Sequence, residues 1–334
     1  MTQAGMEREL AQSVRALAQA DVAHFADSFA DAGYAVRIPA RGILQLASSG
    51  HFLRRPRLLL SVGVHGDETA PIELLAHLLH ALAQTPHALA VDLMVAVGNP
   101  AAIAAGKRFV DADLNRIFTD ERGALQSAAE AIRAGEIMRA TAAFFAPADA
   151  DKWHLDLHTA IRPSHYPTFA VVPDMIADAR KEILLAWLGR AGIGAAILNR
   201  KPAGTYSAYT AHAFGAASAT IELGQVAALG GNDLSRFADA GAALDGFMRS
   251  GRIPVGASAP QVFRVAQELV KQSDAFRMAF GRNVWNFTAF EPGATIAEDG
   301  GTVYRVGSEA EYVVFPNPDV RVGLRAGLMV VRQE

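Results

Sequence analysis

Leu58-Leu59-Leu60-Ser61-Val62-Gly63-Val64-His65-Gly66-Asp67-Glu68 decides the fold. Leu58 to Val64 (LLLSVGV) is apolar at successive positions, the pattern of a strand buried on both faces, and it stops at His65-Gly66-Asp67. Pro71 to Leu82 follows with helical spacing, and Pro71 suits the first turn of a helix. A buried strand that passes through a short turn into a helix is half of a βαβ unit.

The alternation continues outward from there. Val91 to Val97 reads as a second strand, stopped by Gly98-Asn99-Pro100. Ser127 to Phe145 reads as a helix, His154 to His158 and Phe169 to Val172 as strands, Ala177 to Ala191 as a helix and Ala219 to Leu223 as a strand. Asn232 is expected to cap a helix running to about Ser250. The N-terminal segment to Phe29 reads as an amphipathic helix. Together these elements predict an α/β domain over residues 1–255, a sheet covered by helices on both faces. Beyond Pro254 a helix is expected at Gln261 to Ser273. Short segments punctuated by turns follow (EPGATIA, VYRV, EYVVFPNPDV, GLRAGLMVV), predicting a smaller, mainly β domain over residues 256–334.

Composition narrows the function. With 334 residues, 51% hydrophobic and 19% charged, the chain has ample core material and is no disordered segment. Thirty-one basic against 34 acidic residues leave a formal charge of −3, without the basic excess expected of a duplex-binding protein. No apolar run approaches the roughly 18 residues of a membrane span, and Glu7, Arg8 and Glu9 interrupt the N-terminal segment where a secretory signal would be apolar. The expectation is a cytoplasmic protein that binds neither nucleic acid nor membrane, with room for a homo-oligomer. The absence of Cys excludes a thiolate metal site and a cysteine nucleophile, so a metal would be held by His and carboxylate.

The chemistry gathers at strand ends, where open α/β sheets place their sites. His65 and Glu68 share the turn after the first strand, and His158 ends another. Two His and one Glu form a set that holds catalytic zinc and leaves a fourth position open; local hydrogen bonding by each residue is the alternative. Asp113 and Asp156 are candidates to receive the outer ring nitrogens of such histidines, or else are solvated or capping acids. Gly106 to Arg116 (GKRFVDADLNR) carries three cations in a net-acidic chain, an anion site or an ordinary solvated face. Glu222 interrupts the apolar run Thr220 to Gly224, and an acid there is a proton shuttle or a buried ion-pair partner.

Five segments in order, GVHGDETAPIE, NPAAIAAGKRFVDADLNRIF, DLHTAIRPSHYPTFA, TIELGQ and VVFPNPDVRVGLRAGLMVV, resemble the succinylglutamate desuccinylase/aspartoacylase family of carboxypeptidase-like zinc hydrolases. The resemblance spans roughly residues 60 to 332, and DLHTAIR with the tail is similar to the succinylglutamate branch. It implies a mixed carboxypeptidase-like sheet, with the C-terminal domain covering the active-site cleft. One Zn²⁺ per subunit is implied, on His65, Glu68 and His158. By the same resemblance Arg108 polarises the scissile carbonyl, Asn115 and Arg116 grip the substrate's α-carboxylate, Glu222 is the general base and Asp113 supports a zinc histidine. Arg162, four residues past His158, is a candidate further anchor or else a structural ion-pair partner. The implied reaction cleaves N-succinyl-L-glutamate to succinate and L-glutamate in arginine catabolism; deacylation of another N-acyl amino acid, or a non-catalytic zinc-binding module, is the alternative. Where aspartoacylases carry an Arg and a Tyr before the base, this chain has His212 and Ala208, which separates its pocket from theirs.

Overall fold

A computed structural model describes residues 3–48, 55–147, 149–201, 204–253 and 259–333; the expected domain boundary at 255 lies outside these residues. In chain order the first part contains α1 (Gln3–Ala18), α2 (Ala26–Asp31), β1 (Tyr34–Ala40), β2 (Ile43–Ser48), β3 (Arg57–Val62), α3 (Ala70–Ala83) and β4 (Asp92–Val97). Then come α4 (Pro100–Ala105), α5 (Ala129–Phe145), β5 (Lys152–Ala160), β6 (Thr168–Pro173), α6 (Asp178–Arg190), β7 (Ala195–Asn199), α7 (Tyr206–Phe214), β8 (Ala217–Gln225) and α8 (Ala238–Ser250). The remainder is β: β9 (Gln261–Val270), β10 (Arg277–Met278), β11 (Thr288–Phe290), β12 (Thr295–Asp299), β13 (Thr302–Arg305), β14 (Glu311–Val314) and β15 (Arg325–Arg332).

Twelve strands form one mixed sheet in the order β1-β2-β4-β3-β5-β8-β6-β7-β9-β15-β14-β11. At its centre β4, β3, β5 and β8 run parallel, so β3, β5 and β8 deliver their carboxyl ends to one edge. Side chains alternate across a strand, and the two faces meet separate cores. Leu58, Leu60 and Val62 pack with Leu75 and Leu79 of α3 and Trp187 of α6. Leu59 and Met94 pack with Ala134, Ile137 and Phe144 of α5. Helices therefore cover both faces, as the βαβ reading requires.

Three elements depart from expectation. The N-terminal segment is not one helix: it breaks after α1 at Ala20, whose φ is 58°. Asn232 is no cap; its side-chain amide donates to Thr69 Oγ1 (2.8 Å) and Glu73 Oε1 (2.6 Å), while Asp233 caps the 3₁₀ turn that precedes α8. The segment expected as a helix from Gln261 to Ser273 is the strand β9, parallel to β7 and antiparallel to β15. Its apolar residues repeat at helix-like intervals because the ladder with β15 shifts register between Met329 and Val330, leaving Ala266 as an extra residue. A bulge of this kind exchanges the faces. Phe263 joins a core with Phe169 and Val330, and Leu269 joins the opposite one with Ile296 and Met329. A second sheet, β10-β12-β13, closes that last core.

The candidate metal centre and its surroundings

The alternation that builds the sheet also builds the site. On β5, Trp153, Leu155 and Leu157 enter the apolar core, so His154, Asp156 and His158 line the other face. On β8, Ala219, Ile221 and Leu223 do the same, leaving Ser218, Thr220 and Glu222 opposite. The ladder pairs His154 with Ser218, Asp156 with Thr220 and His158 with Glu222. A polar stripe thus climbs the sheet and ends at its carboxyl edge.

His65, Glu68 and His158 meet there, all buried, each offering one ligand atom within 4.8 Å of the others. The β3–α3 turn can reach this point because of Gly66, where a Cβ would stand 2.2 Å from the Ala102 carbonyl carbon at the start of α4. His65 Nδ1 lies 2.7 Å from Glu68 Oε1, and His158 Nδ1 lies 2.8 Å from Glu68 Oε2 and 3.2 Å from His65 Nδ1. Both outer nitrogens face acids: His65 Nε2 is 2.9 Å from Asp113 Oδ1, and His158 Nε2 is 3.0 Å from Asp156 Oδ2. Carboxylates so placed orient imidazoles for metal binding. Asp156 is itself held by the Ser61 hydroxyl, which lies 2.8 Å from His154 Nε2.

Burial alone would drive both imidazoles toward neutrality, yet Glu68 with Asp113 holds His65 above its ordinary value, and Asp156 with Glu68 holds His158 well above it. Glu68 is held low by the same two rings against its desolvation. Two imidazoles thus converge on one carboxylate, and a divalent cation would satisfy the same carboxylate with both rings neutral. Glu222 is buried beside them, and its Oε2 has no hydrogen-bond partner among the described residues. Burial first, and the Glu68 carboxylate second, push its carboxyl up to about 7. The donor set, the converging Nδ1 atoms and the unpartnered acid fit a metal ion.

Gly106 to Arg116 arrives from the other side. Arg108 Nη1 donates to Glu68 Oε1 at 2.9 Å, and Arg108 stands 3.8 Å from Asp113. Asn115 Oδ1 accepts from the Tyr206 amide (2.9 Å) and its amide nitrogen is 3.5 Å from His158 Nε2. The Arg116 side chain is exposed and, among the described residues, donates only to the Asn115 carbonyl. Arg162 is not brought to this cluster: it donates to the carbonyls of Pro316 (2.7 Å) and Arg282, tying the segment after β5 to the C-terminal strands. Ala208 is buried and His212 exposed on α7.

Glu130 escaped the sequence reading. From α5 it accepts the amides of Val110 (2.7 Å), Asp111 (3.2 Å) and Ala112 (3.1 Å) and the Asn99 side chain (3.1 Å), fixing the loop that carries Arg108, Asp113 and Asn115. Its one signal was an acid among alanines in an otherwise apolar stretch of helix.

A doubly supported pair of histidines and a glutamate at the carboxyl edge of an α/β sheet, with a buried acid alongside, is the layout of a metal-dependent hydrolase. Residues 54–246 match the family described as succinylglutamate desuccinylase/aspartoacylase catalytic domain, and residues 258–333 match the AstE/AspA barrel-sandwich hybrid domain. The chain is 45% identical over 279 residues to the succinylglutamate desuccinylase of Burkholderia orbicola, covering 83% of this chain and 81% of that one. It is 43% identical over 293 residues to that of Burkholderia thailandensis, covering 87% and 84%. The solved succinylglutamate desuccinylase of Vibrio cholerae superposes with a TM-score of 0.83 at 32% identity, over 90% of this chain and 88% of that one. That of Chromobacterium violaceum superposes with a TM-score of 0.77 at 38% identity, over 90% and 92%. The chain belongs to the succinylglutamate desuccinylase/aspartoacylase family and is a hydrolase acting on an amide.

Proposed function

We propose that this chain hydrolyses N-succinyl-L-glutamate to succinate and L-glutamate. The observation that carries the chemistry is Glu222, buried and unpartnered at Oε2 beside His65, Glu68 and His158. Those three residues would hold Zn²⁺. Bound there, the ion supplies Lewis acidity, polarising the amide carbonyl and acidifying a water molecule. Glu222 takes the proton of the attacking water, for which a carboxyl near neutrality is suited, and passes it to the departing amide nitrogen. Arg108, 2.9 Å from Glu68, offers its charge to the oxygen that turns anionic. Asn115 and Arg116 grip the α-carboxylate, and Asp113 holds His65 in the productive tautomer.

The substrate follows from the relatives named succinylglutamate desuccinylase and from α7, where Ala208 and His212 replace the Tyr and Arg of aspartoacylases. With it come a cytoplasmic location, a role in arginine catabolism, and a division at 255 that sets a C-terminal β domain over the cleft.

Amino-acid release from N-succinyl-L-glutamate, N-acetyl-L-aspartate and N-succinyl-L-arginine tests this reading. A strong preference for the first, abolished by chelation and restored by Zn²⁺, is expected. Preference for another retains the mechanism and overturns the substrate; no turnover of any overturns the reaction.

A further inference from the structure

His154 sits within β5, fully buried, on the face of the sheet that carries Asp156 and His158. Both of its ring nitrogens are engaged: Nε2 lies 2.8 Å from Ser61 Oγ on β3, and Nδ1 lies 2.8 Å from Thr210 Oγ1 on α7. Ser61 stands directly opposite Asp156 in the β3–β5 ladder, and its hydroxyl donates to Asp156 Oδ1. The other oxygen of that carboxylate, Oδ2, faces His158 Nε2 at 3.0 Å. A continuous line of hydrogen bonds therefore runs from α7 through His154, Ser61 and Asp156 to a residue of the metal cluster.

Counting donors places the protons on that line. A carboxylate only accepts, and a serine hydroxyl has one proton. Ser61 gives its proton to Asp156, so its oxygen accepts from His154, and the His154 proton is on Nε2. Burial brings this imidazole down to about 4, so the ring is neutral and carries one N–H. Nδ1 is then an acceptor, and Thr210 donates to it. Thr210 is free to do so because the carbonyl it could otherwise serve, that of Ser207 at 3.0 Å, takes the Ser218 hydroxyl at 2.6 Å. The other His154 tautomer would set a ring lone pair against the Ser61 oxygen, or draw the Ser61 proton away from Asp156. At the far end Asp156 accepts from His158 Nε2, and a neutral His158 keeps its lone pair on Nδ1, the atom that faces Glu68 and His65.

We propose that His154 is a positioning residue of the metal centre: by donating through Nε2 to Ser61 it fixes the Asp156 carboxylate, and through it the His158 tautomer that offers Nδ1 to the ion. The proposal rests on the reading that His65, Glu68 and His158 hold Zn²⁺, and it holds whichever N-acyl amino acid is cleaved.

Two conservative variants separate the two sides of the ring. A glutamine amide nitrogen reaches the position of histidine Nε2, so His154→Gln keeps a donor toward Ser61. An asparagine ends at the position of Nδ1, so His154→Asn keeps only the contact with Thr210. Zn²⁺ affinity is read by competition with a chromophoric chelator, beside the Tm of the metal-free protein. His154→Asn and Ser61→Ala are each expected to weaken Zn²⁺ binding about tenfold, the lower end of what supporting partners of metal ligands contribute, and His154→Gln to retain most of the affinity. In an Asp156→Asn background neither change weakens binding further, because the carboxylate they hold is gone. Unchanged affinity in His154→Asn and Ser61→Ala, with only Tm lowered, overturns the proposal and leaves His154 a core residue. Equal losses in His154→Gln and His154→Asn, or losses that add to that of Asp156→Asn, overturn it as well. Where a His154 variant fails to fold, Ser61→Ala carries the test, alone and in the Asp156→Asn background. Wild-type protein that takes up no Zn²⁺ overturns the metal reading, and the proposal with it.

Discussion

The charged groups at the carboxyl edge fall into two regions that differ in how far the chain satisfies them. On the metal side every ring nitrogen and carboxylate oxygen of His65, Glu68 and His158 faces a partner within the fold, down to Ser61 and His154 beneath Asp156. On the arginine side, the exposed Arg116 side chain donates, among the described residues, only to the neighbouring Asn115 carbonyl. The metal side is held in place by the fold's own hydrogen bonds, which is what a centre needs to place developing charge with little reorganisation. On the proposed reading the arginine side is completed by the substrate. Damage to the first should fall on turnover and metal retention; damage to the second, on KM.

Removing the metal is the most severe break. Chelation is expected to abolish turnover and to lower Tm, since an ion bound only by the folded chain stabilises it by about 2.7 kcal/mol at a hundred times its Kd. Calorimetry with and without added Zn²⁺ checks this, and an unchanged Tm would deny that the three ligands share an ion. Glu222→Gln is next, lowering kcat by about 10²–10⁴ with metal content unchanged. The pH profile sharpens the same point. The base works ionised, so activity is present above its pKa and lost as pH falls through it. Burial places that carboxyl near about 7, and a cation beside it can only move it down. The acid limb of kcat/KM therefore lies at or below pH 7 and is absent from the residual rate of Glu222→Gln.

Asp156→Asn leaves shape intact and removes the charge behind His158, which should weaken metal affinity about 10- to 100-fold, read by competition with a chromophoric chelator. Glu130→Gln acts at one remove. Its carboxylate meets four donors, and a carboxamide turns an N–H toward at least one of them. Loosening the loop should cost kcat/KM through both Arg108 and Asn115, with metal affinity retained. Arg162→Met is the smallest, with about 1.5–3 kcal/mol of stability lost for hydrogen bonds from a charged group and KM unchanged. A large KM effect there would restore Arg162 as a substrate anchor.

The parts legible in the sequence were those with a local signature. LLLSVGVHGDE announces a buried strand and its turn, and the histidine ending WHLDLH and the acid inside TIELG single out His158 and Glu222, which the β5–β8 ladder then pairs. β9 was misread because its period is interrupted by a bulge, and a bulge is decided by the partner strand. The hairpin of β1 and β2 left no turn signal strong enough to mark it. Glu130 was illegible for a different reason. An acid on a helix is ordinary as a residue, and only tertiary contacts separate a loop clamp from a solvated side chain.

The strand β9 carries a last consequence. Because it extends the central sheet beside β7, the C-terminal strands are joined to the catalytic strands by a ladder and not by a tether. The Asn286 side chain locks the same seam, accepting from the Phe315 amide at 2.8 Å, while its backbone amide donates to Pro163 at 2.9 Å. Opening such a joint like a jaw would break a row of hydrogen bonds worth about 0.5–1.5 kcal/mol each. The seam between the two parts of the chain is accordingly continuous sheet, so a displacement of one strand would be carried to its neighbours across the ladder.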